Sequence, residues 1–256
     1  MNNAYKELPW NPVRDLTKDF LDLARDRNFI FALAEIEVTK ALNIFEERKR
    51  SGNEANSIIT YLMWCYGQAI KRHPDIQAKK TATKLFLFED VDIALMVEKD
   101  LPGGKKFPFP YIFRGVQAKT YDELNAELRK VKEMDLNDLV KKKKSVMVKW
   151  LPRWLRMYLV RKRLSKDPVT AKEIFGTVAL TSLGMVLKDR RFWPVPIGPY
   201  PCIIGSGAVF TRRETDGEKQ FMCITVGLDH DLIDGAPGAR FGQTLIEIME
   251  SAEGLS

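Results

Sequence analysis

The stretch KQFMCITVGLDHDLIDGAPGARF, residues 219–241, contains the signals of a strand, a turn and a helix in succession. Its first half is apolar and rich in β-branched and aromatic residues, which predicts a buried strand. Pro237, with apolar side chains at helical spacing from Phe241 onward, predicts a helix after the turn DHDLIDG. His230 therefore lies where a strand gives way to a turn. Rigid backbone positions a side chain there while the turn leaves it accessible, so His230 is a candidate for chemistry.

The spacing His-x-x-x-Asp-Gly, from His230 to Gly235, leaves two interpretations open. Neutral imidazole accepts a proton at pH 7, which suits a general base. A lone histidine at a strand end is also commonly a structural residue. The second of the two histidines, His73 in KRHPD, is predicted to face solvent near the end of a helix.

Alternating helical and strand patterns predict a single α/β domain over residues 1–256. Helices are predicted from Asp15 to Arg27, over 56–75, where the helix is apolar all round and therefore central, and from Tyr121 to about Met134, opened by a Thr120/Glu123 capping box. Strands are predicted at 31–42, 84–99, 110–118, 173–185, 202–213 and 219–230, with a hairpin turn at Asp216 and Gly217 joining the last two.

The composition, with 45% hydrophobic and 29% charged residues, is typical of a soluble globular protein. Three cysteines, an odd number in apolar runs, predict buried thiols rather than disulfides or a zinc site, and hence a cytoplasmic location. The N-terminus lacks the pattern of a signal peptide. Segment 192–210 is nearly uncharged, but its four prolines exclude a membrane-spanning helix.

Most of the net charge of +7 lies between Lys141 and Lys166. On a helix, one face of this basic segment is apolar (Leu151, Trp154, Leu155, Tyr158, Leu159) and the opposite face is basic (Lys149, Arg153, Arg156, Arg163). The favoured expectation is that the apolar face packs on the domain and the charges face water. The alternative is a membrane surface or an acidic partner bound through residues 148–164. Without zinc-finger spacing or an RNA-binding signature, nucleic acid is not an expected partner.

Several segments resemble, in order, the acyltransferase (catalytic) domain of the 2-oxoacid dehydrogenase complexes and its relative chloramphenicol acetyltransferase. The HxxxDG run DHDLIDGAPGARF is the most specific of them. The others are NPVRDLTKDFLDLARDR with AEIEVTKAL, EDVDIALMVEK with PYIFRGVQAKTYDEL, GTVALTSLGM, and PYPCIIGSGAV. The resemblance implies a two-layer α/β sandwich of the chloramphenicol acetyltransferase type, with a mixed sheet and helices packed on one face.

The resemblance also implies catalytic roles. His230 would be the general base, and Thr181 would donate a hydrogen bond to the oxyanion, with Ser182 as the neighbouring alternative. Asp234 would orient the histidine by pairing with an arginine near the N-terminus. Arg14 matches that arginine best, and the alternative interpretation is a solvated arginine at a helix start.

Two further residues of the turn receive structural roles. Gly235 is expected to supply a tight backbone, and Asp229 is expected to be a surface turn residue.

The resemblance implies an acyltransferase that uses coenzyme A (CoA) as acyl-CoA and requires no metal. It also implies a homotrimer with active sites between subunits, where His230 faces Thr181 of the neighbouring subunit. Lys141–Lys144 and Arg153 are candidates for contacts to the CoA phosphates, and the sequence does not choose among them.

The chain departs from the family pattern in several ways. No lipoyl or subunit-binding domain precedes the match, so we expect the chain to lack a swinging arm of its own. The short polar end MESAEGLS favours a free trimer over a large core. Asp231 replaces the family's arginine after the histidine, and the basic amphipathic insert at about 140–166 is unusually large. The alternative functions are a catalytically silent trimeric scaffold and a protein that binds a membrane surface through the basic helix.

Overall fold

The computed structural model describes residues 5–10, 13–25, 27–52, 56–101, 105–135, 152–187, 189–215 and 217–255. The helices within them are α1 Val13–Asp22, α2 Thr39–Arg50, α3 Ile58–Arg72, α4 Tyr121–Glu133, α5 Arg153–Lys166, α6 Pro168–Phe175 and α7 Gly235–Ser251. The strands are β1 Phe29–Glu37, β2 Lys79–Lys80, β3 Leu85–Phe86, β4 Ile93–Leu101, β5 Lys105–Phe113, β6 Val178–Ser182, β7 Cys202–Glu214 and β8 Gly217–Asp229. Short 3₁₀ turns occur at Pro74–Gln77 and Val116–Ala118.

Six strands form one mixed sheet in the order β1-β8-β7-β6-β4-β5. The pairs β7 with β6 and β6 with β4 are parallel, and the other neighbouring pairs are antiparallel. Strand β5 contains Pro108 and Pro110 and lies at an edge, where a missing N–H group is tolerated. Strand β8 is paired on both sides along most of its length, which gives the histidine turn a rigid base.

The main core lies between this sheet and helices α2, α3, α4 and α7. Helix α3 is buried and central, as its all-round apolar sequence predicted. The predicted capping box of α4 is present, since the Glu123 N–H donates to the Thr120 hydroxyl and the Thr120 N–H donates to the Glu123 carboxylate. The buried side of α7 is also as predicted (Phe241, Leu245, Ile248, Met249). The two-layer α/β fold with a mixed sheet is therefore confirmed.

The opposite face of the sheet is covered only in part. Helices α1 and α6 place Phe20 and Phe175 against a small cluster that includes Ala179, Tyr200 and Ile203. The expectation that helices pack on one face thus holds for the larger helices, while these two short helices add a partial third layer. This layer forms because each short helix buries an aromatic side chain against the sheet, which removes apolar surface from water.

The proline-rich segment before β7 lies flat on this opposite face. An added Cβ at Gly207 would come within 2.1 Å of the Phe192 carbonyl oxygen, and one at Gly205 within 2.5 Å of the Pro194 carbonyl oxygen. The glycines of the sequence GSG, residues 205–207, therefore provide the space for this close approach of two backbone segments.

Several predicted strands differ from the structure. Predicted strand 84–99 is divided into Leu85–Phe86 and the start of β4 at Ile93, and predicted strand 110–118 is strand only as far as Phe113. Strand β1 ends at Glu37 and helix α2 begins at Thr39, so the last residues of predicted strand 31–42 are helical. Residues 173–175 likewise belong to α6, and only Val178–Ser182 of predicted strand 173–185 form a strand. A short apolar run fits both the helical and the strand periodicity, so tertiary contacts decide which of the two structures forms. Asp216 of the predicted hairpin turn lies outside the described residues, but its flanking residues Glu214 and Gly217 pair as a hairpin requires.

The expectation that the apolar face of the basic helix packs on the domain is wrong for the part that the structure describes. Arg153 and Arg156 of α5 form ion pairs with Asp19 of α1, and Arg153 also pairs with Asp22. These pairs turn the opposite face outward, where Trp154 is 72% exposed, Tyr158 57% and Leu159 45%. The sequence pattern identified the two faces of the helix but assigned them to the wrong sides, because the acidic residues of α1 attract the basic face. Lys149 and Leu151 lie outside the described residues.

Candidate functional site

His230 is the first residue after strand β8, and the turn that it opens runs to Asp234, directly before α7. Its backbone N–H donates a 2.7 Å hydrogen bond to the carbonyl of Asn28, the residue before β1. The imidazole side chain is 44% exposed. The backbone is thus fixed to two strands while the ring is open to solvent, an arrangement suited to a proton acceptor that meets a substrate.

Asp234 is close to His230 but lacks the predicted arginine partner. One Asp234 carboxylate oxygen lies 3.9 Å from His230 Nδ1, and the Asp234 side chain is 88% exposed. Arg14 is exposed in the first turn of α1, and no ion pair joins it to Asp234 within the described part of the chain. The Arg14–Asp234 pair expected from the family resemblance is therefore not formed in the single chain.

The turn is instead held by an ion pair that the sequence prediction missed. Arg27 Nη1 donates to Asp229 Oδ2, and Asp229 is only 3% exposed, so its expected role as a surface turn residue is wrong. Asn28 Nδ2 donates to Asp231 Oδ1 at 3.0 Å. These contacts arise because Phe29, which follows both donors, pairs with Asp229 in the sheet. Asp231, where the family pattern has arginine, is thus part of the support of the turn.

Gly235 does not have the expected special backbone. Its φ lies outside the left-handed region, and an added Cβ would meet no atom within 4 Å in the described chain. The first residue of a helix has ordinary helical dihedral angles, so the fold of one subunit does not require glycine at this position.

Thr181 and Ser182 at the end of β6 point to opposite sides of the sheet. Ser182 lies on the helix-covered side, where it accepts hydrogen bonds from the Ser206 hydroxyl at 3.0 Å and from the Gly184 N–H at 3.3 Å. Thr181 is partly exposed on the other side. No hydrogen bond of its hydroxyl occurs among the described residues. Thr181 therefore has a free donor on the less covered side of the sheet, whereas the Ser182 hydroxyl faces the helix-covered side.

His230 and Thr181 are not brought together within one chain. Thr181 aligns with Gly205 of β7, which aligns with Thr225 of β8, and His230 follows Thr225 by five residues. With about 3.3 Å per residue and about 4.8 Å between strands, the two residues are about 17 Å apart along the sheet and about 10 Å across it, or about 19 Å in total. Within one subunit, His230 and Thr181 therefore lie at two different locations.

The other candidate residues are occupied or buried. Arg153, a candidate for CoA phosphate contacts, is engaged by Asp19 and Asp22, and Lys141–Lys144 lie outside the described residues. His73 does not simply face solvent, because its Nε2 lies 2.8 Å from the Thr244 hydroxyl of α7.

The three cysteines are free and buried, as predicted. Burial raises the pKa of the Cys202 thiol to about 12 and raises the pKa of Cys65 further above its ordinary value. These thiols stay protonated at neutral pH and are poor nucleophiles.

The fold and the exposed histidine turn are those of an acyltransferase catalytic domain, and comparison with protein families identifies the family. The sequence model of the family described as 2-oxoacid dehydrogenases acyltransferase (catalytic domain) matches residues 2–144 and 161–256 of this chain. The chain belongs to this family, in agreement with the resemblance seen in the sequence. Residues 145–160, which the match leaves out, fall within the insert predicted at about 140–166.

Individual relatives are distant in sequence and similar in fold. The dihydrolipoyllysine-residue succinyltransferase component of the Staphylococcus aureus 2-oxoglutarate dehydrogenase complex is 21% identical over 279 residues, which cover 98% of this chain and 56% of the relative. The chain therefore spans about half the length of the curated relatives it matches.

Two solved structures illustrate the similarity in fold. Azotobacter vinelandii dihydrolipoamide acetyltransferase aligns with a TM-score of 0.71 and 16% identity, covering 99% of this chain and 95% of that chain. A chloramphenicol acetyltransferase aligns with a TM-score of 0.54 and 14% identity, covering 94% of this chain and 96% of that chain. The predicted chloramphenicol acetyltransferase-like architecture is thus confirmed.

Proposed function

We propose that this protein transfers an acyl group between the thioester of an acyl-CoA and a small or carrier-bound acceptor. The observation that carries the proposal is the exposed imidazole of His230 on a turn fixed by β1 and β8, in a chain of an acyltransferase family. Work on the Azotobacter relative concerned a serine, a histidine and, four residues later, an asparagine in its catalytic mechanism. Thr181, His230 and Asp234 offer a comparable set of side chains here.

His230 would act as the general base. Asp234 lies near Nδ1, which leaves Nε2 to take the proton of an incoming thiol, hydroxyl or amine. The nucleophile then adds to the thioester carbonyl carbon, and the carbonyl oxygen becomes an oxyanion. When the carbon–sulfur bond breaks, the departing thiolate takes the proton back from the imidazolium, so the histidine is ready for another cycle.

Thr181 would stabilise the oxyanion through its free hydroxyl, a contribution typically worth about 3 to 4 kcal/mol of barrier. Because Thr181 and His230 are about 19 Å apart in one subunit, we propose that they meet across subunits of a homotrimer. A subunit interface would also bring further backbone close to Gly235 and further charges close to Asp234. Whether Arg14 reaches Asp234 in that assembly is part of the same proposal.

A thiol-release assay with a panel of acyl-CoA donors tests the proposed activity. Turnover with at least one donor supports an acyltransferase. The alternative, a catalytically silent trimeric scaffold, requires that no donor be turned over with any thiol, hydroxyl or amine acceptor offered.

A second proposed role is attachment to an anionic membrane surface through α5. The exposed Trp154, Tyr158 and Leu159 form a small apolar surface, with basic Lys162 and Lys166 on the same helix. Residues 141–166 contain no aspartate or glutamate. Aromatic side chains beside lysine and arginine favour the interface between water and anionic lipid. Within the described part of the chain, no helix has the length and apolar content to cross a bilayer. With the buried cysteines that the sequence predicted, we propose a cytoplasmic protein that binds membranes peripherally through this surface.

We expect the double substitution Trp154→Ala and Leu159→Ala to weaken binding to phosphatidylserine-containing vesicles by at least tenfold. Each lost side chain removes apolar area worth on the order of 1 to 2 kcal/mol when buried in lipid. Vesicle sedimentation at low and high salt measures the effect, and binding should fall at high salt. Val169→Ala, at an exposed apolar residue of the adjacent helix α6, is the matched control. Equal sedimentation of the double variant and the native protein would contradict this role.

A further inference from the structure

A cavity of about 260 Å³ lies beside the histidine turn. Its walls come from the end of α1, the segment 77–80, the start of β6 and the residues on both sides of His230. Phe88, Phe175 and Tyr200 contribute apolar side chains to the lining. Arg27, which pairs with Asp229 of the turn and lies near Lys79, places charged groups at the end of the cavity next to the turn. The cavity is therefore a shaped pocket with a polar end next to the proposed catalytic base.

The polar end holds more positive than negative charge. The charged side chains that line it are Arg27, Lys79, Lys80, Asp229 and Asp231. Both carboxylates are already bound: Asp229 accepts from Arg27 and from the Asp231 N–H, and Asp231 accepts from Asn28. No ion pair or hydrogen bond of the Lys79 ammonium occurs within the described residues.

Among the residues that the structure describes, Lys79 is consequently a cation without a counter-ion. Burial, followed by the nearby positive charge of Arg27, lowers the pKa of Lys79 to about 8. Tyr200, which also lines the cavity, has a pKa that burial raises above the physiological range, so it stays neutral. A bound anion would neutralise the excess charge and raise the pKa of Lys79.

Gln77 provides a second, independent sign of a ligand. The residue is 1% exposed, and its Nε2 donates to the Phe88 carbonyl at 2.7 Å, which fixes the orientation of the amide. Its Oε1 is buried and accepts no hydrogen bond from the described residues. A buried acceptor nearly always accepts a hydrogen bond, so we expect a donor from a ligand or a bound water at Gln77 Oε1.

We propose that this cavity binds an anionic group, carboxylate or phosphate, of a substrate whose reacting atom lies at His230. Lys79 and the outer N–H groups of Arg27 would hold the anion, and Gln77 Oε1 would accept an N–H or O–H of the same molecule. The identification of the bound molecule as an acyl-transfer substrate rests on the proposed function. The binding of an anion in this cavity does not depend on it. Such a site assigns the enzyme to substrates with a negative charge near the reacting centre, rather than to purely apolar acyl chains or acceptors.

Competitive labelling of lysines with trace acetic anhydride, followed by peptide mass spectrometry, tests the site in the native protein. We expect the labelling rate of Lys79 to rise around pH 8, and succinate or inorganic phosphate to suppress it saturably at constant ionic strength. Lys40, an exposed lysine of α2 that does not line the cavity, serves as the internal control and should change little. Because the anion binds the protonated amine, the protection should fade as the pH rises above about 8.

Calorimetry with succinate and phosphate completes the test, because it shows which of the two kinds of anion the site prefers. Tighter binding of succinate assigns the site to a substrate carboxylate, and tighter binding of phosphate assigns it to a phosphate. Lys79→Met should lower the affinity at least tenfold, whereas Lys79→Arg should retain it. His230→Ala should bind the anion normally, so loss of activity and loss of this site are distinguishable. Absence of saturable protection by either anion, or unchanged affinity of Lys79→Met, would overturn the proposal.

Discussion

The variant His230→Ala is expected to lose acyl transfer by about 100- to 10,000-fold in kcat/KM, the usual contribution of a positioned general base. The reason is that histidine is the side chain of the turn best suited to take a proton from an incoming nucleophile at neutral pH. Because the imidazole is 44% exposed, its removal should leave thermal unfolding nearly unchanged. Release of free thiol from acyl-CoA, measured beside a melting curve, checks both statements.

The second histidine of the chain offers a matched control. His73 lies at the end of α3 and contacts Thr244, so His73→Gln should alter stability slightly and activity by less than about twofold. If His230→Ala turns over acyl-CoA as fast as the native protein, the general-base role is wrong.

The variant Thr181→Val is expected to lower kcat by about 100- to 1,000-fold, the typical cost of removing one oxyanion donor. Valine has nearly the same shape as threonine, so the sheet should be undisturbed and KM should change little. Stopped-flow or steady-state thiol release measures the change in kcat.

Ser182→Ala is the control for this effect. Its hydroxyl faces the other side of the sheet and is bonded to Ser206 and Gly184. We expect a loss of stability of about 1 kcal/mol and only a small change in kcat. A larger loss of kcat in Ser182→Ala than in Thr181→Val would show that the neighbouring hydroxyl, not Thr181, faces the acyl group.

Much of the fold could be predicted because it depends on local pattern. The all-round apolar sequence of α3, the capping box at Thr120 and the strand, turn and helix around His230 each carry a short-range signal. The prediction was wrong where a short apolar run fits both the helical and the strand periodicity, as at 173–175. It was also wrong where a long-range contact decides which face of a helix turns inward. Helix α5 belongs to the second kind, since its sequence defines two faces but only Asp19 and Asp22 determine which one turns inward.

The candidate site was predictable in its chemistry and less so in its supports. The HxxxDG spacing singled out His230 and Asp234, and the structure places them 3.9 Å apart. The Arg27–Asp229 pair joins residues about two hundred positions apart, and only the register of β1 against β8 brings them together. One sequence contains no signal for that register. The predicted meeting of His230 with Thr181 depends on a second subunit and stays a prediction.

The central claim is that each active site combines His230 of one subunit with Thr181 of another. Co-expression of His230→Ala and Thr181→Val chains with different affinity tags, followed by isolation of mixed trimers, tests it most directly. Every mixed trimer contains two chains of one variant and one of the other, so one of its three sites receives both native residues, and we predict about a third of the native activity. Mixed trimers no more active than the two variants alone would contradict the claim.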